Sequence, residues 1–227
     1  MAGTDTTGHA GRLRDAAQAM GLTLAPGQAE TLLEYLAQMQ RWNRTYNLTA
    51  LREPEQMLIQ HLFDSLSVIA PLERELARLD AAALPTVMDV GSGGGLPGVV
   101  IAACRPAWTV CCVDAVEKKT AFVRQMSGAL KLNNLSARHA RVEQIDPAGC
   151  DVVVSRAFAS LQDFSRLAGR HVRQGGMLLA MKGRHPDDEI DALDQDGHWN
   201  VTLAEPLNVP ELQAQRCLIW MRRKGNP

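Results

Sequence analysis

Residues 86–98 read T-V-M-D-V-G-S-G-G-G-L-P-G. A short apolar run, Val87, Met88 and Val90, meets glycines at 91, 93, 94 and 95, after which Pro97 opens a second apolar segment, Val99 to Ala103. This order predicts a strand, a sharp turn and a helix.

Glycines in such a turn let the backbone take positive φ and let a ligand approach without a Cβ in the way, while the helix start offers unpaired N–H groups. Two ligand classes use a turn of this kind, dinucleotides and S-adenosylmethionine. Read from Gly93, G-G-G-L-P-G satisfies the dinucleotide pattern G-x-G-x-x-G, which is a weak signal alone. Asp89 favours the other class. Two residues before the first glycine, its carboxylate would repel a pyrophosphate and attract an ammonium or a sulfonium.

At 227 residues and 46% apolar content the chain can bury one sizeable core. The five cysteines are odd in number and contain no C-x-x-C pair, the pattern of reduced core residues in a cytoplasmic protein. Neither a basic leader followed by an apolar run nor an apolar stretch of about 18 residues is present, so the expectation is an unexported, non-membrane protein. Net charge is -1, yet residues 105–185 carry 13 Lys/Arg against 6 Asp/Glu, and residues 186–215 carry none against 8. A basic middle suits a polyanion on one face; a solvated mixed-charge surface is the plainer alternative.

Small polar residues make 1–10 an expected disordered tail. Apolar spacing predicts helices over 11–20, over 26–44 and from Pro54, followed by a charged helical linker over 72–80 and an Ala-rich turn to Pro85. Residues 11–84 therefore form a helical extension, and 85–227 an α/β core. Further strands are expected over 108–113, 135–139, 151–155, 177–181, 199–203 and 217–221, with helices over 116–130, 161–171 and 186–193. The Gly175-Gly176 pair reads as a turn, and Asn133 and Asn134 as the close of a helix. The alternation predicts a mainly parallel, doubly wound sheet whose site lies at the carboxyl ends of its strands.

Three further motifs fall at those ends. Asp114 follows Asp89 by 25 residues, where a nucleotide-binding fold places its ribose carboxylate. R-V-E at 141–143 lies where an adenine would sit, and S-R-A-F at 155–158 faces the point of methyl transfer. No Asn/Asp-Pro-Pro-aromatic tetrad of adenine amino-methylation is present there, nor a Pro-Cys nucleophile of cytosine-C5 chemistry. Guanine N7 fits this site, because its lone pair already points out of the ring and attacks without a general base, leaving positioning and electrostatics as the means of catalysis. His61 and Asp64, three residues apart on a helix, could pair, but without a third ligand they make no metal site. W-N-R-T-Y-N-L-T at 42–49 concentrates aromatic, Asn and Arg side chains in a chain with 4% aromatics. It suits either exposed RNA bases or a helix end packed on the core.

Together with H-L-F-D-S-L at 61–66, S-R-A-F-A-S-L at 155–161 and M-K-G at 181–183, these strings resemble the RsmG (GidB) family, bacterial guanine-N7 methyltransferases of 16S ribosomal RNA. The likeness runs over about residues 30–222. It implies a class I, Rossmann-like S-adenosylmethionine-dependent methyltransferase with an antiparallel last strand, acting on a guanine in the decoding region of the small subunit and releasing S-adenosylhomocysteine; a cytoplasmic monomer is the separate expectation. Position by position it implies cofactor contacts at Gly91, Leu96, Val142, Glu143 and Arg156, to which the turn itself adds Asp89, Gly93, Gly95 and Asp114. Arg141, Arg156 and Lys182 are the basic residues expected at the RNA or methyl-transfer site. With Arg184 they should line one mouth, extended by Arg222, Arg223 and Lys224, where Phe158 either stacks on the target base or packs in the core. Gly94 departs from the family, whose members often have proline there. Two rival readings are a non-catalytic S-adenosylmethionine or RNA-binding factor and an NAD-dependent oxidoreductase.

Overall fold

A computed structural model describes residues 6–79, 84–156 and 158–225. The first half of the expected tail (1–5), most of the Ala-rich turn (80–83) and Ala157 of S-R-A-F lie outside the described residues.

β1 (Thr86–Val90) is the middle strand of the five parallel strands in a seven-stranded sheet ordered β3-β2-β1-β4-β5-β7-β6. It pairs in parallel with β2 (Thr109–Asp114) and β4 (Cys150–Ser155), while β3 (Leu135–His139) and β5 (Val172–Lys182) extend the parallel run on either side. β1 and β4 read as continuous apolar runs because helices cover both faces: Val87 and Val152 belong to one apolar cluster, Met88 and Val153 to the other. α6 (Gly98–Cys104) and α7 (Glu117–Ala129) follow β1 and β2; α8 (Leu161–Ala168) follows β4 and α9 (Asp187–Asp196) follows β5.

β7 (Arg216–Arg223) enters antiparallel between β5 and β6 (Trp199–Leu207), pairing Cys217 with Lys182 and Met221 with Leu178. Its first residue therefore lies at the carboxyl edge of the parallel strands and its last at the opposite edge. This corrects the expectation that Arg222, Arg223 and Lys224 extend the mouth. Arg223 instead lies 4.9 Å over the Trp199 ring and donates to the Gly169 carbonyl, and Lys224 donates to the Asp194 carbonyl.

Four other elements differ from expectation for visible reasons. The apolar stripe of the first helix continues back through Ala10 and Leu13, so α1 (Thr6–Ala19) takes in the second half of the expected tail. The helix from Pro54 is not uniform: α3 (Pro54–Met57) and α4 (Asp64–Leu66) flank a π-helical stretch, Leu58–Phe63, whose wider turn buries Leu58, His61, Leu62 and Phe63 together, and α5 (Ile69–Leu76) follows. Gly175 and Gly176 lie within β5, because a Cβ on Gly176 would come within 2.7 Å of the Asp151 carbonyl where the β4–β5 register shifts. Asn134 does not close α7; its amide donates to the carbonyls of Ala102, Arg105 and Trp108, at and just beyond the end of α6.

α1 and α2 (Gln28–Tyr46) share the apolar cluster of β1, α6 and β2. Gln28 donates to the last carbonyls of α6, those of Ala103 and Cys104. Deeper in, the fully buried Tyr35 sets its ring 5.9 Å from Phe122 and donates its hydroxyl to the Gly94 carbonyl at 2.7 Å. That bond ties the helical part of the chain to the glycine turn.

Tyr35→Phe leaves the ring in place and strips a buried carbonyl of its donor. The expected loss is about 1–3 kcal/mol, read as a lower urea midpoint with unchanged m value; an unaltered midpoint would mean the bond contributes nothing.

Candidate active site: two clefts that meet at Gly91

Between β1 and α6 the chain turns with Gly91 at φ 67°, Gly93 at 59° and Gly95 at 98°. The turn is held by hydrogen bonds to other elements. Gly91 donates to the Val113 carbonyl at the end of β2. Gly93 donates to Asp114 Oδ2 at 2.8 Å, and the same carboxylate accepts from Val116 N–H through Oδ1 at 2.8 Å, so Asp114 fixes the turn and the start of α7 together. A Cβ at Gly95 would lie 2.5 Å from Val99, which makes that glycine a packing requirement as well as a conformational one.

Gly91 belongs to two clefts. One, of about 290 Å³, is walled by Val113, Asp114, Arg141, Val142, Glu143 and Phe158. The other, of about 480 Å³, is walled by Ser92, Gly93, Gly94 and Leu96 of the turn, by Arg156, Lys182 and Arg216, and by Met39, Thr49, His61 and Asp64 from the helical part. A larger groove of about 920 Å³ continues from it past Lys182 and Arg216 to Arg184.

The second cleft holds its charges in pairs. Asp64, whose side chain is 5% exposed, accepts from Arg156 Nη1 at 3.1 Å through one oxygen and from Arg216 Nε at 2.8 Å through the other. The expected His61–Asp64 pair does not form, because both carboxylate oxygens face arginines and His61 Nε2 lies 3.1 Å from Thr49 Oγ1. Burial first, and then the Arg156 charge, hold the His61 pKa down to about 4, so the imidazole is neutral. Lys182 ion-pairs with Glu189 at 2.8 Å and donates to the carbonyls of Phe158 and Ala159. Glu189 in turn accepts from the Leu161 N–H at the start of α8.

Several expected positions are corrected by this geometry. Asp89 does not reach either cleft: it is fully buried behind the turn and accepts from the first N–H of α6, that of Gly98, at 2.8 Å. Its other oxygen has no hydrogen-bond partner among the described residues, and burial raises its pKa to about 7. Arg141 lines the smaller cleft, apart from the mouth where Arg156 and Lys182 stand. Phe158 stacks on Phe164 at 5.0 Å and also faces the smaller cleft, so it is not placed to stack on a base in the larger one. Gly91, Gly93, Leu96, Asp114, Val142, Glu143 and Arg156 do line one cleft or the other. Gly95 supports the turn from beneath. Arg216 was not foreseen; its acidic partner lies 152 residues away in sequence, and no local spacing announces it. Among the described residues no group of three His, Cys, Asp or Glu side chains is set to hold a metal ion, and no helix is long and apolar enough to cross a membrane.

A parallel sheet with an antiparallel strand inserted next to its edge, and a glycine turn after the central strand flanked by two clefts, defines a Rossmann-like methyltransferase of class I. Solved structures agree on the fold. A S-adenosylmethionine-dependent methyltransferase from Aquifex aeolicus superposes with TM-score 0.55 at 15% identity, over 77% of this chain and 96% of its own. A 1,6-didemethyltoxoflavin-N1-methyltransferase from Burkholderia thailandensis gives 0.56 at 14%, over 88% and 90%. Residues 28–219 match the model of the GidB family, rRNA small subunit methyltransferase G, and the chain belongs to that family. It is 67% identical over 220 residues to ribosomal RNA small subunit methyltransferase G of Bordetella pertussis, covering 96% of each, and 54% identical over 209 residues to that of Leptothrix cholodnii, covering 92% of this chain and 93% of the relative.

Asp89 generates a pH prediction. Its folded pKa of about 7 stands above the ordinary 3.8, so between those values the folded state binds more protons than the unfolded one, and stability is lost as pH rises. Asp89→Asn keeps an oxygen for Gly98 and removes the ionisation. The variant's stability relative to the parent should therefore grow from pH 5 to pH 8 in urea titrations; a difference constant with pH would refute the assignment.

Proposed function

We propose that this enzyme transfers the methyl group of S-adenosylmethionine to N7 of a guanine in the decoding region of 16S ribosomal RNA, as a cytoplasmic monomer. The observation that carries the reading is the junction at Gly91, where an apolar cleft and a charged cleft meet in a chain of the small-subunit rRNA methyltransferase G family. Bound across that junction, the cofactor supplies an electrophilic methyl group on a sulfonium.

The residues fit such a ligand. Val113, Val142 and Phe158 give apolar walls for a purine ring, with Glu143 and Arg141 at the rim. Asp114 commits one lone pair of each oxygen to the backbone and keeps the others to accept ribose hydroxyls. Gly91, with no Cβ, lets the ligand pass from one cleft to the other. Beyond it, Arg156 stands over the larger cleft, held there by Asp64. Neither titratable group beside it is a free base: His61 is a weak base and Asp64 is doubly paired. Guanine N7 needs none, so these residues contribute shape and charge.

Lys182 has a different part from the one the sequence suggested. Paired with Glu189 and bonded to two carbonyls of the 158–159 segment, it acts as a positioning residue for the loop that follows β4. The division of the chain is one of labour: the α/β part from residue 85 holds the cofactor, and the helical part closes the target cleft through Met39, Thr49, His61 and Asp64.

Incubation of 16S rRNA or 30S subunits with methyl-labelled S-adenosylmethionine should label a single guanine, mapped by chemical cleavage at N7-methylguanine. Binding without transfer would make the protein a holding factor. Gly91→Val, which puts a β-branched side chain at a positive φ in the junction, should abolish cofactor binding in calorimetry. Asp114→Asn should weaken it by about 1–3 kcal/mol; full affinity in a folded Gly91→Val protein would overturn the placement.

A further inference from the structure

The basic groups around the target cleft are largely paired. Arg156 and Arg216 share Asp64, and Lys182 belongs to Glu189. A polyanion needs cations that are not already neutralised. Cations outside such pairs lie where the end of α2 packs against α7. Arg52 and Lys118 are exposed and Lys119 is half-buried, and none of the three makes an ion pair among the described residues. The acids beside them in sequence are Glu53 and Glu117, which leaves this surface net positive.

Ring contacts join the two helices here. Trp42 lies 5.4 Å from Phe122 of α7 and 4.9 Å from Tyr46, and Phe122 sits one helical turn after Lys118 and Lys119. Tyr46 is 44% exposed, an aromatic ring on the surface with a second ring beneath it. Asn47 then takes a left-handed conformation (φ 49°) and accepts from Arg52 at 2.9 Å. The next residues, Leu48 and Thr49, enter the wall of the target cleft, so the surface is continuous with it.

We propose that this surface, Tyr46 on Trp42 flanked by Arg52, Lys118 and Lys119, is the docking surface for the single-stranded RNA that flanks the target guanine. An unpaired base stacks on Tyr46 while the three cations meet phosphates, the combination by which single strands are held. A duplex would present no base face to the ring, and an acidic protein would not need it. The inference rests on the rRNA reading above and adds where the strand lies.

The test is titration of naked 16S rRNA with the parent protein, Tyr46→Ala, Tyr46→Phe and the double variant Arg52→Ala/Lys118→Ala, over a range of salt. Tyr46→Ala should bind RNA on the order of 10-fold more weakly and raise KM for RNA, and Tyr46→Phe should restore both. The double variant should shallow the slope of log K against log salt by roughly 0.7 for each phosphate no longer neutralised. S-adenosylmethionine affinity in calorimetry should stay at the parent value, which separates a docking role from a damaged fold. Parent-like RNA affinity and salt slope in both variants would overturn the proposal. So would a defect seen only on assembled 30S subunits, which would assign the surface to a ribosomal protein. If the parent methylated no guanine, the proposed function would fall, whereas the RNA-affinity comparison would still judge the surface.

Discussion

The carboxylate of Asp114, accepting from Gly93 through one oxygen and from Val116 through the other, is the constraint from which the site is built. A turn with three glycines at positive φ has little periodic bonding of its own, and each buried backbone group in it must find a partner elsewhere. Those partners come from three directions: Asp114 from β2, Asp89 from β1 beneath, and Tyr35 from the helical part above. Each is buried, so each bond is made where water does not compete and where an unmet group is costly. The turn is thus set by its surroundings, and the two clefts inherit its geometry.

Charge placement follows from the same demands of burial. Arg156, Lys182 and Arg216 are only 14–25% exposed in their side chains, and at that depth each has an acidic or carbonyl partner. A segment-wise excess of Lys and Arg therefore says little about which cations remain free. The 105–185 segment is strongly basic in sequence, yet Arg156, Arg166, Arg173 and Lys182 within it are ion-paired, some to acids from distant segments. Asp64, from the acidic first part of the chain, neutralises the mouth of a site built by the basic middle.

The turn, the succession of strands and helices along the chain and the apolar faces were legible because each is written locally: glycines beside an apolar run, and alternating strand and helix patterns at ordinary spacing. What was not legible depends on partners far along the chain. The direction of β7 decides which of its ends reaches the site, and nothing within R-C-L-I-W-M-R-R states that direction; pairing of Cys217 with Lys182 does. Asp89 carried the right residue type for a cation, but its side chain points under the turn toward Gly98, a choice made by the packing of α6. The π-helical stretch shows as ordinary helix in its apolar spacing, since one extra residue per turn alters the face by too little to read.

The helical part is usually regarded as an appendage when a fold is read from its sheet. Here its removal would open the target cleft along the Met39, Thr49, His61 and Asp64 side and would take away the acceptor that Arg156 and Arg216 share. It would also expose Phe122 and leave Gly94 without its donor. Gly94 itself belongs to this interface, for a Cβ there would approach the Met39 methyl group to 2.7 Å. The missing side chain at position 94 and the long one at position 39 fill one space between them. The two parts of the chain are thus packed together at the residues that shape the site.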